Sequence, residues 1–243
     1  MKIYFVTTGL REEIEVIKKV RPPRILCSFW YFKNKPLRAF CEELGYKPEI
    51  LLDSGAYSAH TKGKNVNLVD YIIYIRENHE FISQYITLDV IGNQRLTMHI
   101  YRLMTQARLD PIPVIHYGAP PETWSCYGLY PIHSIGLGNT VGVQDKRKVA
   151  SWCESVKNIY PSLDLHLLGS SSRAILESGA LDSCDSSTWY MMAVNGKPKE
   201  IPGRSREAKM ARAEANMRKI MEDFDEKPVP IDDYRGEPDN GQI

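Results

Sequence analysis

Two hydrophobic patterns alternate along the chain. Some short runs are apolar at successive positions, as in Ile50-Leu51-Leu52 and Pro113-Val114-Ile115. They predict strands over Lys2–Thr7, Arg24–Phe29, Glu49–Asp53, Tyr85–Asp89, Ile112–His116, Ile132–Gly136, Asp164–Leu168 and Ala180–Cys184. Between them, apolar residues recur at helical spacing over Glu12–Val20, Pro36–Leu44, Leu68–Asn78, Arg95–Leu109, Lys146–Ile159 and Ser172–Ser178. Uninterrupted apolar runs imply strands covered on both faces, as in parallel sheets flanked by helices. The repeated strand–helix order then predicts an α/β fold. About eight strands within roughly 185 residues fit a single (β/α)8 TIM-like barrel. A doubly wound open sheet is the rival, but no G-x-G-x-x-G follows the first strand. Lys2–Thr7 either closes the barrel or only decorates it.

Polar and glycine residues cluster where the runs end: Asp53-Ser54-Gly55, Asp89, His116-Tyr117-Gly118, Gly136-Leu137-Gly138-Asn139, Gly169-Ser170-Ser171-Ser172 and Asp182-Ser183-Cys184-Asp185. At any one strand end such residues can simply cap a helix or make a turn. In a parallel barrel, however, all C-terminal strand ends share one face, which is where active sites form. Asp53, Asp89 and Asp185 are then expected in one pocket. A carboxylate there can attack an anomeric carbon, a second can shuttle a proton, and a third can accept from the N–H edge of a purine. Glycines let backbone amides approach a planar ligand, and Tyr57 and Tyr117 could stack on a base. The same carboxylates would also suit a magnesium-dependent phosphohydrolase or a carbohydrate enzyme.

Composition narrows the setting. The 243 residues include 43% hydrophobic and 25% charged residues, ordinary usage for one globular domain with a real core. No stretch approaches the ~20 apolar residues of a membrane helix. The start, Met1-Lys2-Ile3-Tyr4-Phe5-Val6, does not read as a signal peptide. Five scattered cysteines, Cys27, Cys41, Cys126, Cys153 and Cys184, form no CxxC pair. They predict reduced thiols in a cytoplasm-like compartment. No Cys/His cluster has metal-ligand spacing, so no zinc site is expected, leaving only a metal assembled from distant residues.

A net charge of +1 argues at first sight against a nucleic-acid partner. Resolved along the chain it does not. Residues 197–219 hold eight basic and three acidic residues, net +5; residues 222–239 hold eight acidic and two basic residues, net −6. Ser205–Phe224 reads as a helix with Met210, Ala213, Met217, Ile220 and Phe224 on one face and Lys209, Arg212, Asn216 and Lys219 beside it. With Arg204 and Arg206, the basic residues Lys209, Arg212 and Lys219 are candidates for phosphate contacts, against the plainer reading of a solvated charged face. The expected layout is a barrel domain with its C-terminal helix over residues 1–225 and a flexible acidic tail over 226–243.

The segment Leu52-Asp53-Ser54-Gly55-Ala56-Tyr57 resembles the Asp-Ser-Gly-Gly-Phe motif of tRNA-guanine transglycosylases, and later segments follow in that family's order. Asp89 stands where the family has its purine-recognising aspartate, Gly136-Leu137-Gly138 resembles its Gly-Gly-Leu, and Leu167-Leu168-Gly169 resembles its Leu-Met-Gly. Gly179-Ala180-Leu181-Asp182-Ser183-Cys184-Asp185 resembles its Gly-x-Asp-x-x-Asp after a one-residue shift. The likeness spans roughly residues 48–190. It departs in three places: no zinc-binding cysteines follow Cys184, Ile115-His116-Tyr117-Gly118 replaces Val-Gln-Gly, and Ser186-Ser187-Thr188-Trp189 replaces Pro-Thr-Arg. The short, zinc-free form is more similar to the deazapurine DNA modification transglycosylases (DpdA type) of phages and bacterial islands. The resemblance implies exchange of guanine in DNA for a 7-deazaguanine such as preQ0, with DNA, the free deazaguanine base and guanine as partners, no metal or other cofactor, and no membrane. It implies Asp185 as nucleophile, with Asp182 as the fallback, and Asp53 as acid/base. Substrate binding falls to Ser54, Gly55, Asp89, His116, Tyr117, Gly136, Leu137, Gly138, Gly169 and Asp182. The alternatives are tRNA as substrate, another carboxylate-dependent glycosyl-processing barrel, and an inactive nucleic-acid-binding subunit.

Overall fold

The computed structural model describes residues 1–230. Eight strands are present: β1 (Lys2–Thr7), β2 (Arg24–Ser28), β3 (Glu49–Asp53), β4 (Gln84–Tyr85), β5 (Val114–His116), β6 (Ser134–Gly138), β7 (Asp164–Leu167) and β8 (Ser183–Ser186). They pair in the order β4-β3-β2-β1-β8-β7-β6-β5, every pair parallel. One parallel bridge, Ile86 to Ile112, joins the two ends of the sheet. This is an α/β TIM-like fold. β1 lies between β2 and β8 and is therefore integral to it, which settles its role.

Among the described residues ten α-helices accompany the strands: α1 (Arg11–Val20), α2 (Phe29–Phe32), α3 (Leu37–Leu44), α4 (Ala56–His60), α5 (Leu68–Glu77), α6 (Gln94–Gln106), α7 (Lys146–Ile159), α8 (Arg173–Leu176), α9 (Thr188–Val194) and α10 (Arg206–Asp223). The longer ones start at side-chain caps. Asn67, Asp145 and Ser205 accept from the free amides of α5, α7 and α10, satisfying donors that have no intrahelical partner. The described helices include none long and apolar enough to cross a membrane.

The strands are apolar on both faces because two cores exist. Tyr4, Leu26, Leu51, Ile86, Ile112 and Val114 pack inside the barrel, with Val6 and Leu168 against them. Ile3, Phe5, Ile25, Cys27, Ile50 and Leu52 point outward into the layer beneath the helices. The alternation Ile3-Tyr4-Phe5-Val6 shows the two faces within one strand.

Three strands are displaced from their predicted positions. β4, expected over Tyr85–Asp89, is Gln84–Tyr85 with Ile86 in a single bridge, so Asp89 lies beyond it. β6 begins two residues later than Ile132, and β8 runs over Ser183–Ser186 instead of Ala180–Cys184. Apolar pattern placed β8 on Ala180-Leu181, whereas the strand is built from the polar Ser183, Asp185 and Ser186, with Asp185 and Ser186 buried. The short helices α2, α4 and α9 fall in stretches too brief for periodicity to register.

The C-terminal helix packs its predicted apolar face, Met210, Ala213, Met217, Ile220 and Phe224, against the core, and buries beside it two residues of the stripe expected to face solvent. Arg212, Ala213, Asn216, Met217 and Met221 are buried. Arg212 donates to the carbonyls of Ala193, Ile201 and Gly203, and Asn216 donates to those of Trp189 and Lys197. Arg212 is thus a structural clamp on the link between α9 and α10 and not a phosphate ligand. Arg212→Ala is expected to cost about 2–4 kcal/mol by leaving buried carbonyls unpaired, read from the midpoint of urea unfolding. The acidic tail expected over 226–243 is partly fixed: Glu226 accepts from Arg24, and Arg21 bonds to the carbonyls of Val229 and Pro230. Its remainder, 231–243, lies outside the described residues.

Candidate active site

A cavity of about 360 Å³ opens at the C-terminal ends of the strands, and Asp53, Asp89 and Asp185 all line it. Ser28, Tyr31, Tyr57, Gly138, Asn139, Leu168 and Gly169 complete much of its wall. The three aspartates are drawn from a stretch of more than 130 residues, from Asp53 to Asp185, brought together because each follows or belongs to a strand of one barrel.

Asp185 sits within β8 and is 4% exposed. Its Oδ1 accepts from the Gly169 amide at 2.9 Å and from His166 Nε2 at 3.1 Å. A carboxylate that accepts both bonds requires the proton on Nε2; the Ser183 hydroxyl lies 2.8 Å from Nδ1, and Tyr4 meets the ring edge-on at 5.6 Å between centroids. Asp89 is held in the same way. Its Oδ1 accepts from the Thr97 hydroxyl at 2.7 Å and from His116 Nε2 at 2.6 Å. His116 is itself fixed through its amide, which donates to Gln94 Oε1. Asp53 accepts the Gly55 amide on Oδ2 at 2.8 Å. In all three aspartates one oxygen is clamped by the protein, and the other has no hydrogen bond among the described residues.

Asp53 is pushed up to about 7 from the usual carboxylate range. Burial is the largest cause; the Gly55 amide opposes it, and the charges of Asp185 and Asp89 add to it. A carboxyl poised near neutrality in a cleft can both give and take a proton.

Glycine has a structural role at two positions. Gly55 adopts φ +76, and a Cβ there would lie 2.3 Å from the Trp30 Cβ and 2.5 Å from the Ser28 hydroxyl. Gly55→Ala is expected to lose about 2–4 kcal/mol, through both strain and overlap; thermal unfolding measures it. At Gly138 a Cβ would stand 3.1 Å from Val114 Cγ1 and 3.9 Å from the unbonded Oδ2 of Asp89, so its absence keeps the approach to that oxygen open.

Other predicted residues lie elsewhere. Asp182 is at the opposite end of β8, where it accepts from the Leu165 amide and pairs with Lys157; it is a structural carboxylate and cannot serve as fallback nucleophile or substrate ligand. Ser54 is fully buried and accepts from the Ala56 amide. Gly136 and Leu137 are inside β6, with Leu137 in the outer core. Gly55 shapes the turn without lining the cavity. His116 and Tyr117 line a neighbouring groove of about 370 Å³, with Tyr117 packed edge-on against Trp152 at 5.3 Å; His116 reaches the main cavity only through Asp89.

The basic stripe proposed for α10 is mostly engaged. Arg206 pairs with Glu12 and Glu15, Lys209 with Glu12, and Lys219 with Asp223, while Arg212 is buried. Arg204 is exposed. Conversely, His166 and Ser28 belong to the site without having been singled out. Alternation along Leu165-His166-Leu167 places His166 on the inner face, a signal present in the sequence. The Ser28 hydroxyl is buried in the cavity wall with no hydrogen-bond partner among the described residues, which no sequence pattern announces. Among the described residues no group of three or more His, Cys, Asp or Glu side chains is placed to hold a metal ion.

No family model matches the chain, and no curated protein matches it significantly. Solved structures match in fold. A candidate fructose-1,6-biphosphate aldolase from Coccidioides immitis aligns at TM-score 0.56 and 15% identity, covering 92% of this chain and 89% of that one. CdNal from Clostridium difficile, in complex with mannosamine, aligns at TM-score 0.51 and 11% identity over 92% and 83%. Orotidine 5'-monophosphate decarboxylase from Metallosphaera sedula aligns at TM-score 0.50 and 12% identity over 90% and 98%. Likeness at this level concerns the fold, which hosts many unrelated chemistries.

Proposed function

We propose that the protein is a nucleic-acid guanine transglycosylase that exchanges guanine in DNA for a 7-deazaguanine base. The observation that carries this reading is the set of three aspartates facing one cavity, each clamped on one oxygen and open on the other. The described cavity lining contains three carboxylates and neither lysine nor arginine. Such a wall disfavours a phosphorylated sugar and lacks the lysine needed for imine chemistry. It suits a neutral, planar ligand that offers N–H groups.

In this reading the free oxygen of Asp185 attacks C1′ of the target nucleotide, a C1′–O bond forms and the bond to guanine N9 breaks. Asp53, protonated near neutral pH, gives its proton to the departing base. The incoming deazaguanine occupies the same cavity, with Asp89 Oδ2 accepting from its N–H edge beside Gly138. Asp53 takes the N9 proton as the new base attacks C1′ and releases Asp185. Two inversions retain the configuration, as in retaining glycosidases. His166 and the Gly169 amide orient the nucleophile, and His116 with Thr97 orients the recognition group. The target guanine must leave the helical stack to reach this depth.

Radiolabelled guanine offered with DNA and with tRNA in separate reactions tests the proposal. Label entering DNA supports it. Label entering only tRNA overturns the choice of polymer, and cleavage of a nucleobase-free glycoside without any guanine exchange overturns the reaction class.

A further inference from the structure

The three carboxylates form the floor of the cavity, but its mouth is of opposite character. Residues 28–41 and 54–69, which carry α2 and α4, contain no acidic residue. Tyr31 and Tyr57 line the cavity and are 40% and 51% exposed. Lys33 Nζ lies 5.3 Å from the centroid of the Trp30 ring, and Lys62 Nζ lies 5.8 Å from Trp30 and 5.0 Å from Tyr31. Lys33 and Lys62 are exposed, and neither is in an ion pair among the described residues, unlike Arg206 and Lys209 on α10. Aromatic faces interleaved with cations are what an unstacked strand requires, since bases stack on rings and phosphates meet ammonium groups.

We propose that this rim of α2 and α4 is the surface that holds the single-stranded DNA flanking the target guanine. The assignment rests on the transglycosylase reading for its choice of ligand and on charge complementarity for its location. It displaces α10 as the nucleic-acid surface. The α2 and α4 segments also interlock at the contact of Gly55 with Trp30, which couples the rim to the turn that carries Asp53. A strand seated here enters the cavity from the side of the acid/base group.

The test is fluorescence anisotropy with a labelled single-stranded DNA of about 15 nucleotides containing one guanine, a length that spans one binding site. The Lys33→Ala/Lys62→Ala variant is expected to raise Kd about tenfold and to lower the slope of log Kd against log salt by about 1.4, the value for two phosphates on a single strand. An Arg206→Ala/Lys209→Ala variant is expected to bind as the parent does. A rim variant within twofold of the parent, or an equal loss in the α10 variant, overturns the proposal. Tighter binding of RNA of the same sequence overturns DNA as the occupant. Exchange kinetics separate the two proposals. A raised KM for DNA with an unchanged KM for the incoming base supports the rim. Exchange with an unchanged KM for DNA in the rim variant sinks the rim and leaves the chemistry standing. Rim-dependent DNA binding by a parent protein that exchanges no guanine sinks the chemistry and leaves the rim standing.

Discussion

Asp185→Asn is expected to reduce guanine exchange by at least about 10⁴-fold, the scale on which removal of a covalent nucleophile acts. It should also abolish any denaturant-stable adduct between protein and DNA. The substitution removes the attacking oxygen while leaving a side-chain carbonyl to accept from Gly169 and His166, the two groups that hold Oδ1. The buried position therefore keeps its hydrogen bonds and its volume, and the unfolding midpoint should stay close to that of the parent. Stability and activity are thus separated in one variant. Trapped adduct on a denaturing gel and initial exchange rates are the measurements, and exchange persisting above about one per cent of the parent rate would place the nucleophile elsewhere.

Asp53→Asn should act on two observables in opposite directions. The exchange rate should fall about 10²–10⁴-fold, the usual range for a lost acid/base, and the parent's decline in rate above about pH 7 should vanish with it. Stability should rise. Between about pH 4 and 7 the folded state keeps a proton on Asp53 that the unfolded chain has released, because the folded value is raised to about 7. Where the native state binds more protons, stability falls as pH rises. The cost accumulates through that window and is constant above it, reaching at most about 4 kcal/mol. An amide carries no such penalty and can still accept from the Gly55 amide. The variant should therefore gain about 1–3 kcal/mol over the parent at pH 8 and nothing at pH 4. Urea titrations at the two pH values decide it; a variant no more stable at pH 8 would show that Asp53 is not strained by its surroundings.

Much of this site could be read from the chain because barrel topology turns strand ends into neighbours. Asp53 and Gly138 end strands of strong apolar pattern, and Asp89 follows one. Asp185 was reached through the resemblance to the transglycosylase motifs and their order, since β8 is polar and its hydrophobic pattern pointed two to three residues too early. The one-residue shift in the resembling motif set Asp182 in the site as well, although three residues along a strand carry it away from the cavity to Lys157 and the Leu165 amide. Arg212 was misread for a different reason. A helical wheel shows which residues share a face but not which carbonyls lie opposite, and those of Ala193, Ile201 and Gly203 turn a cationic stripe into a buried clamp. The neutralisation of Arg206 and Lys209 by Glu12 and Glu15 is likewise a contact across nearly two hundred residues. Ser28 and the lysine–aromatic rim come from segments whose local pattern gives little more than short helices and turns.

The single bridge between Ile86 and Ile112 divides the barrel's labour. Asp53 and Asp185 stand on strands joined by the continuous run β3-β2-β1-β8, where β2 and β3 pair over five residues and β1 and β8 over four. Asp89 hangs just beyond β4, at the seam itself, and its partner His116 and neighbour Gly138 lie on β5 and β6 across it. In the proposed reaction the bond-making pair is therefore set on the continuously paired strands, and the groups assigned to the base straddle the single-bridge joint. Under that proposal, substitutions around the joint would retune which base is accepted while the spacing of Asp185 and Asp53 stays as it is, so that selectivity and chemistry could diversify separately.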